Sequence, residues 1–471
     1  MKRIHLLFFC IILSLNIIKA QIDVDETGTY LVTQKTGKPF FWLGDTAWEL
    51  FHRLNRNESV CYLNARQKQG FNVVMAVALA EQNGINQPNY YGDKPFINLE
   101  TLEWDVTTGS NYKVENEYDY WDHVDFIVKE AAKRNIYIGL LPTWGDKVAH
   151  IGGFGPILFT NEERAYIYAK KLAERYKNCW NIIWILGGDR SAVYERDGVK
   201  YDDRPVWRAM AKAIEDVYDN DVFMTYHTSW PETSVYLNDE EWLDMNALQS
   251  SHGSRTIEPW VTIANDLKKK PQRPVMDLEP CYEDHPVNPW DNKWTRKDRG
   301  YFNDYDVRAR IYRGVFAGGC GAVYGHHQIW QFLDTTRNAP IWTGDTIIGW
   351  EKAINAIAAN QIHHLKDLML SFKDFNRVED NSLVVSALGS DYTDRIIATR
   401  NQNATYALIY LPQNMEVKVD LDKLKIGKKR VSWFNPVTGK TKRIGRFSSG
   451  VQSFVPPSKT QKDWVLKIEL K

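Results

Sequence analysis

The chain has 471 residues, equal numbers of basic and acidic side chains at 59 each, 44% hydrophobic and 25% charged residues. That composition excludes a disordered protein and shows no basic excess of the kind that marks nucleic-acid binding; the length suits a barrel of about 250 residues plus an accessory unit. Aromatic residues are in surplus, with 18 Trp and 24 Tyr, which fits a large core or a protein that binds sugars.

Met1-Lys2-Arg3, the apolar run Leu6–Leu15 and Ile18-Lys19-Ala20 read as a signal peptide over residues 1–20. The run is too short to span a bilayer, and no second apolar stretch of about 20 residues follows. The chain is therefore expected to be exported to the periplasm or beyond. Lipidation at Cys10 is disfavoured by bulky Phe8-Phe9 before it. After cleavage Cys61, Cys179, Cys281 and Cys320 remain, too few for a disulfide scaffold and without Cys-x-x-Cys spacing.

Eight short apolar runs follow, at Pro39–Gly44, Phe71–Ala78, Ile136–Leu141, Ile182–Leu186, Val222–Tyr226, Ala247–Ser250, Pro274–Met276 and Ala322–Tyr324. They are rich in β-branched and aromatic residues and bounded by Gly, Asp, Asn and Pro, as buried parallel strands are. Helical signals lie between them. Trp121, Val124, Ile127, Val128 and Ala131 keep the 3.6-residue period. Thr160-Asn161-Glu162-Glu163 reads as a capping box, Val307, Ile311, Val315 and Phe316 form a stripe, and Trp350–Leu370 reads as a closing helix. The stretch Thr228–Asn246 has no helical period. The expected fold is α/β, a (β/α)8 TIM barrel over residues 21–370.

From Ser371 onward the pattern changes to short β runs, namely Leu383–Ala387, Ile396–Thr399, Tyr406–Leu411, Val417–Leu421, Val431–Phe434 and Val465–Ile468. Residues 371–471 are expected to be a small antiparallel β-sandwich. This segment carries 18 Lys+Arg against 10 Asp+Glu, so the rest of the chain carries the compensating negative excess.

A barrel of this kind builds its active site where the strands end. Glycoside hydrolysis needs two carboxyl groups, one to protonate the leaving oxygen and one to attack the anomeric carbon or activate a water. Asp189, after the fourth run, and Glu279, after the seventh, supply that pair. Glu283 is the alternative to Glu279, or a group that contacts substrate. Asp45, Trp48, Trp144, Tyr226, His227, His252, Tyr282 and His326 follow strand ends and are read as substrate contacts. Flat indoles stack on sugar C–H faces. No metal or other cofactor is expected, because the first strand lacks the His-x-His pair of metal-dependent amidohydrolase barrels.

Phe41-Trp42-Leu43-Gly44-Asp45-Thr46-Ala47-Trp48, Trp184-Ile185-Leu186-Gly187-Gly188-Asp189 and Pro274-Val275-Met276-Asp277-Leu278-Glu279-Pro280-Cys281-Tyr282-Glu283 together resemble the apiosidase-like barrels of glycoside hydrolase family 140. The resemblance implies endo-apiosidase cleavage in the pectic polysaccharide rhamnogalacturonan II, a secreted metal-free barrel, and catalytic roles on Asp189 and Glu279. Retaining barrels commonly place Asn-Glu where this chain has Gly188-Asp189. The tail resembles the small collagen-binding-like β domain that follows such barrels. Two other readings stay open, a glycosidase for another glycan and a catalytically silent glycan- or matrix-binding protein. The expected partner is a polysaccharide or oligosaccharide, with no nucleic acid and no membrane span.

Overall fold

A computed structural model describes residues 22–148, 155–342, 344–458 and 460–471. The expected signal peptide lies outside the described residues. Eight parallel strands follow one another along the chain: β1 Trp42–Thr46, β2 Val73–Val77, β3 Tyr137–Leu141, β4 Ile182–Gly187, β5 Met224–His227, β6 Asn246–Leu248, β7 Val275–Asp277 and β8 Gly321–Tyr324. Each falls on one of the eight apolar runs. They do not make one continuous ladder. Six form a parallel sheet in the order β5-β4-β3-β2-β1-β8, and β6 and β7 form a separate parallel pair.

The seams between the two sheets carry few backbone contacts. Thr225 bridges to Met245 beside β6, and the Cys320 N–H donates to the Val275 carbonyl at 3.0 Å. At three residues each, β6 and β7 leave little ladder to share. The first apolar run also divides. Pro39–Phe40 joins Ile22–Val24 and Leu31–Thr33 in a small antiparallel sheet, while Trp42 onward enters the parallel one.

Period-two alternation splits each strand between two cores. Val73, Met75 and Val77 pack inward with Leu141, Ile183, Ile185 and Met276, whereas Val74 and Ala76 pack outward with Ile138, Leu140 and the helices. Those helices are α1 Arg56–Lys68, α2 Tyr120–Ala132, α3 Glu162–Tyr176, α4 Arg204–Tyr218, α5 Pro259–Asp266 and α6 Asp304–Phe316. The cap of α3 is Asn161, which accepts the Arg164 N–H, one residue later than the expected Thr160. The unit after β5 carries only a 3-10 turn, Ser234–Leu237. The expected closing helix is broken into Trp350–Ala353, a 3-10 turn and α7 His363–Leu370.

The tail contains a six-stranded antiparallel sheet and a two-stranded one, which share a core that includes Val417, Val419, Trp433, Phe454 and Leu466. The expected strand at Leu383–Ala387 is a 3-10 turn ending in one bridge, Val384 to Val419. Two polar strands that hydropathy does not mark, Thr441–Phe447 and Val451–Phe454, complete the sheets. The tail docks on α6. Arg308 forms a buried two-pronged pair with Asp463 (2.8 and 2.9 Å), and Arg377 donates to the Val315 and Gly319 carbonyls. Cys61, Cys179, Cys281 and Cys320 are all free thiols, and no helix among the described residues is long and apolar enough to cross a membrane.

Candidate active site

Strand β4 ends in a turn that only its sequence permits. Gly187, Gly188 and Asp189 all have positive φ, at 86°, 118° and 52°. A Cβ on Gly187 would sit 2.2 Å from the His227 carbonyl oxygen, and one on Gly188 would lie 2.9 Å from the Gly145 nitrogen. Two glycines are therefore required for the close approach of strand end to strand end. Asp189 takes the same left-handed conformation with a side chain, a strained placement of the kind concentrated at functional sites. The turn is pinned from both sides: Gly188 N–H to the His227 carbonyl (2.9 Å) and Gly145 N–H to the Gly188 carbonyl (3.0 Å).

Asp189 opens into a cavity of about 250 Å³ at the strand ends, with Trp48, Trp144, His252, Glu279 and Tyr282 also on its wall. About a third of the Asp189 side chain remains exposed, and Arg190 Nη1 lies 3.1 Å from its carboxylate. Burial raises its pKa above the ordinary Asp value, Arg190 opposes that rise, and the negative charge of Glu279 adds to it. Gln249 also donates to the Asp189 carboxylate and accepts the Trp230 N–H through its own oxygen.

Glu279 is buried two residues beyond β7, and two histidines converge on it. His227 Nε2 lies 3.0 Å from Oε2 and His252 Nε2 lies 3.2 Å from Oε1. The backbone fixes which nitrogen of each ring carries the proton. Asp189 N–H donates to His227 Nδ1 (3.1 Å), and Tyr282 N–H donates to His252 Nδ1 (3.3 Å). Each Nδ1 is thus an acceptor, so each neutral ring presents Nε2–H to the carboxylate. Tyr282 receives the Trp48 indole N–H at 3.2 Å and aims its own hydroxyl at Glu279. Burial alone would raise the Glu279 pKa; the His227 and His252 donors outweigh it and hold the carboxyl well below the usual range. The two acids of one cleft are driven apart, Asp189 toward its protonated form and Glu279 toward its ionised form.

The aromatic wall supports this arrangement. Trp48 and Trp144 pack at 5.1 Å between ring centres, and both lie against His227, at 5.3 and 5.8 Å. His252 is held between Tyr282 and His285, each 4.2 Å away. Sequence reasoning missed several cleft residues. Trp290 and Trp342, 43% and 49% exposed, sit on long loops that carry no periodic signal. Glu81 follows β2 by four residues and was findable by the strand-end rule. Burial and then the charge of Asp189 push its carboxyl up to about 8.

Four of the expected substrate contacts lie elsewhere. Asp45 is fully buried beneath the cleft, paired with Arg66 Nε at 2.6 Å and bonded to Tyr62. Tyr226 packs on Trp207 outside the strands and donates to the Arg190 carbonyl at 2.9 Å, supporting the β4 turn from behind. Glu283 accepts the N–H groups of Ile357 and Ala358 and the Tyr324 hydroxyl, which clips the segment after β8. His326 caps the next turn through the Gln328 N–H and lies 3.3 Å from Asp284. Among the described residues, the group able to hold a metal ion is His363, His364 and Asp367 on α7, and it includes no residue of the cleft.

An acid-rich, tryptophan-walled cleft at the ends of parallel strands is the site of a glycoside hydrolase, and the comparisons with known proteins agree. Residues 25–376 match the family model described as apiosidase-like, catalytic domain, so the chain belongs to that family. Residues 378–469 match a model described as "Putative collagen-binding domain of a collagenase". A solved glycoside hydrolase is 34% identical, with 96% of this chain and 97% of that one covered and a TM-score of 0.81. A glycoside hydrolase of family 5 from Bacteroides vulgatus is 35% identical, with 96% and 93% covered and a TM-score of 0.81. No curated protein matches the chain.

Proposed function

We propose that this chain is an exported glycosidase of family 140 type that cuts a pectic polysaccharide, as an endo-apiosidase acting on rhamnogalacturonan II. Asp189 is the general acid/base and Glu279 the nucleophile of a retaining, two-carboxylate reaction. The two parallel sheets are read together as one (β/α)8 barrel. The observation that carries the reading is the pair of tautomer-fixed histidines on Glu279, which keep one carboxylate ionised while its neighbour Asp189 is pushed toward the acid form. A nucleophile and a proton donor need those opposite states at one pH.

In the reaction Glu279 attacks the anomeric carbon while Asp189 protonates the departing oxygen. Asp189 then takes a proton from the water that releases the sugar from Glu279. Tyr282 and the two histidines orient the Glu279 carboxylate throughout. Trp290 and Trp342 offer exposed faces on which sugar rings stack.

The test is release of reducing ends from a panel of rhamnogalacturonan II, other pectins, mannan, β-glucan and arabinan, with the products analysed for a new apiose reducing end. Cleavage of rhamnogalacturonan II at apiose is expected. Cleavage confined to another glycan would overturn the substrate. Saccharide binding with no bond broken in any glycan would overturn the reaction.

A further inference from the structure

A second cavity, of about 470 Å³, lies at the seam between α6 and the tail, with walls from both domains. It is larger than the catalytic cleft and within the size range of small-molecule sites. Three aromatic side chains line it, Trp260 and Tyr305 from the barrel and Tyr392 from the tail. Four cations line it too, Arg255, Arg310, Arg313 and Lys462. The acid among the lining residues is Asp306, and it is already paired with Arg255 at 3.1 Å.

Arg313 is the informative group. It is 3% exposed, its guanidinium lies 4.8 Å from the Trp260 ring centre, and its Nε donates to the Arg395 carbonyl. Among the described residues its Nη2 has no hydrogen-bond partner and no carboxylate lies within ion-pair reach, and burial lowers its pKa. Glu258 and Asp391 act on it from beyond ion-pair reach. Lys462 lies over the Tyr305 ring, 4.7 Å from its centre. Arg310 donates to the carbonyls of Ser251 and Ser254, and Ser251 lies on the wall of the catalytic cleft. One side chain therefore links the two cavities.

We propose that the seam cavity is a second carbohydrate site, for a saccharide unit that bears a carboxylate. Among the described residues Arg310, Arg313 and Lys462 have no ion-pair partner, a uronate supplies one, and the rings offer stacking faces that a bare inorganic anion would not use. An acidic chain held at the seam is tethered beside the cleft, which raises the local concentration of its scissile bonds.

The experiment is titration calorimetry of trigalacturonate into the full chain carrying Glu279→Gln, which removes turnover. Addition of Lys462→Glu or Tyr392→Ala, both at the cavity rim, is expected to weaken binding by about tenfold each, and raised salt to weaken it further. A neutral galactose trisaccharide is expected to bind at least about tenfold more weakly. Equal affinity for the neutral sugar, equal binding of inorganic phosphate at the same residues, or indifference to both substitutions would overturn the proposal. Failure of the catalytic reading would appear separately, as turnover that survives Glu279→Gln.

Discussion

Two layers around these parallel strands hold buried carboxylates within a few residues of strand ends, and they use them differently. Below the cleft, Asp45 meets a guanidinium and a tyrosine, and Glu283 is filled by two backbone N–H groups and Tyr324. Neither is on the wall of the cleft. At the cleft, Glu279 is held by neutral imidazole donors and Asp189 keeps a third of its side chain open. Residue type is alike in the two layers; what differs is whether the acid lies on the wall of the cleft, as Asp189 and Glu279 do, or is enclosed by structural partners away from it. A carboxylate enclosed by fixed partners, a guanidinium at Asp45 or backbone N–H groups at Glu283, stabilises a fold, whereas one held ionised by imidazole donors at a cavity wall remains available to react.

The sharpest way to break this comparison is to neutralise one acid from each layer. Glu279→Gln and Asp189→Asn should each lower turnover by about three orders of magnitude or more with melting temperature little changed. Asp45→Asn should do the reverse. It strands Arg66 as an unpaired buried cation, and should cost about 3–5 kcal/mol of stability while the properly folded fraction keeps its kcat. Chemical denaturation and kinetics on the same preparations check both. An Asp45→Asn protein that is stable but inactive would end the division into layers.

Smaller effects sharpen it. His227→Ala should reduce kcat/KM by about 10–100-fold. The signature is in the pH profile. With a donor gone, the depressed Glu279 pKa rises, so the acid limb of the profile should move to higher pH. A lower rate with an unmoved acid limb would show that His227 only packs against Trp48 and Trp144. In the wild type, activity should persist to low pH and fall as pH climbs through the raised Asp189 pKa.

All eight parallel strands were legible because buried parallel strands are contiguous apolar runs, and each run contained one. The acids were legible because they follow those runs directly. What could not be read was the side on which a strand-end residue projects. Tyr226 and His227 are adjacent, yet alternation sends the first to the outer core and the second to Glu279. Glu279 and Glu283 lie four residues apart, and only the fold shows that one meets histidines and the other meets the segment Ile357–Ala358. The tail strand Thr441–Phe447 was missed because it is mostly exposed and polar, so hydropathy carries no trace of it.

Glu81 tests the comparison from within the cleft, where the smallest effect is expected. Among the described residues no cation forms an ion pair with it: burial and the charge of Asp189 raise its carboxyl to about 8, and the charge of Arg190 opposes the rise. A carboxyl raised in the folded state binds a proton that the unfolded chain has released above the ordinary Glu value of 4.5. The stability it lends is therefore fully present below that value and is lost as pH rises toward about 8. Glu81→Gln removes that titration while keeping size and a hydrogen-bond donor. Its melting temperature should match wild type near the acid end and exceed it increasingly toward pH 8, and activity should fall by only about fivefold, the worth of one hydrogen bond to a sugar hydroxyl. Asp45→Asn provides the contrast, since its loss of stability comes from a broken buried pair and should show at neutral pH. A Glu81→Gln protein no more stable than wild type at pH 8 would mean that its carboxyl ionises freely in the cleft, and that openness alone, without neutral donors, suffices to keep a carboxylate charged there.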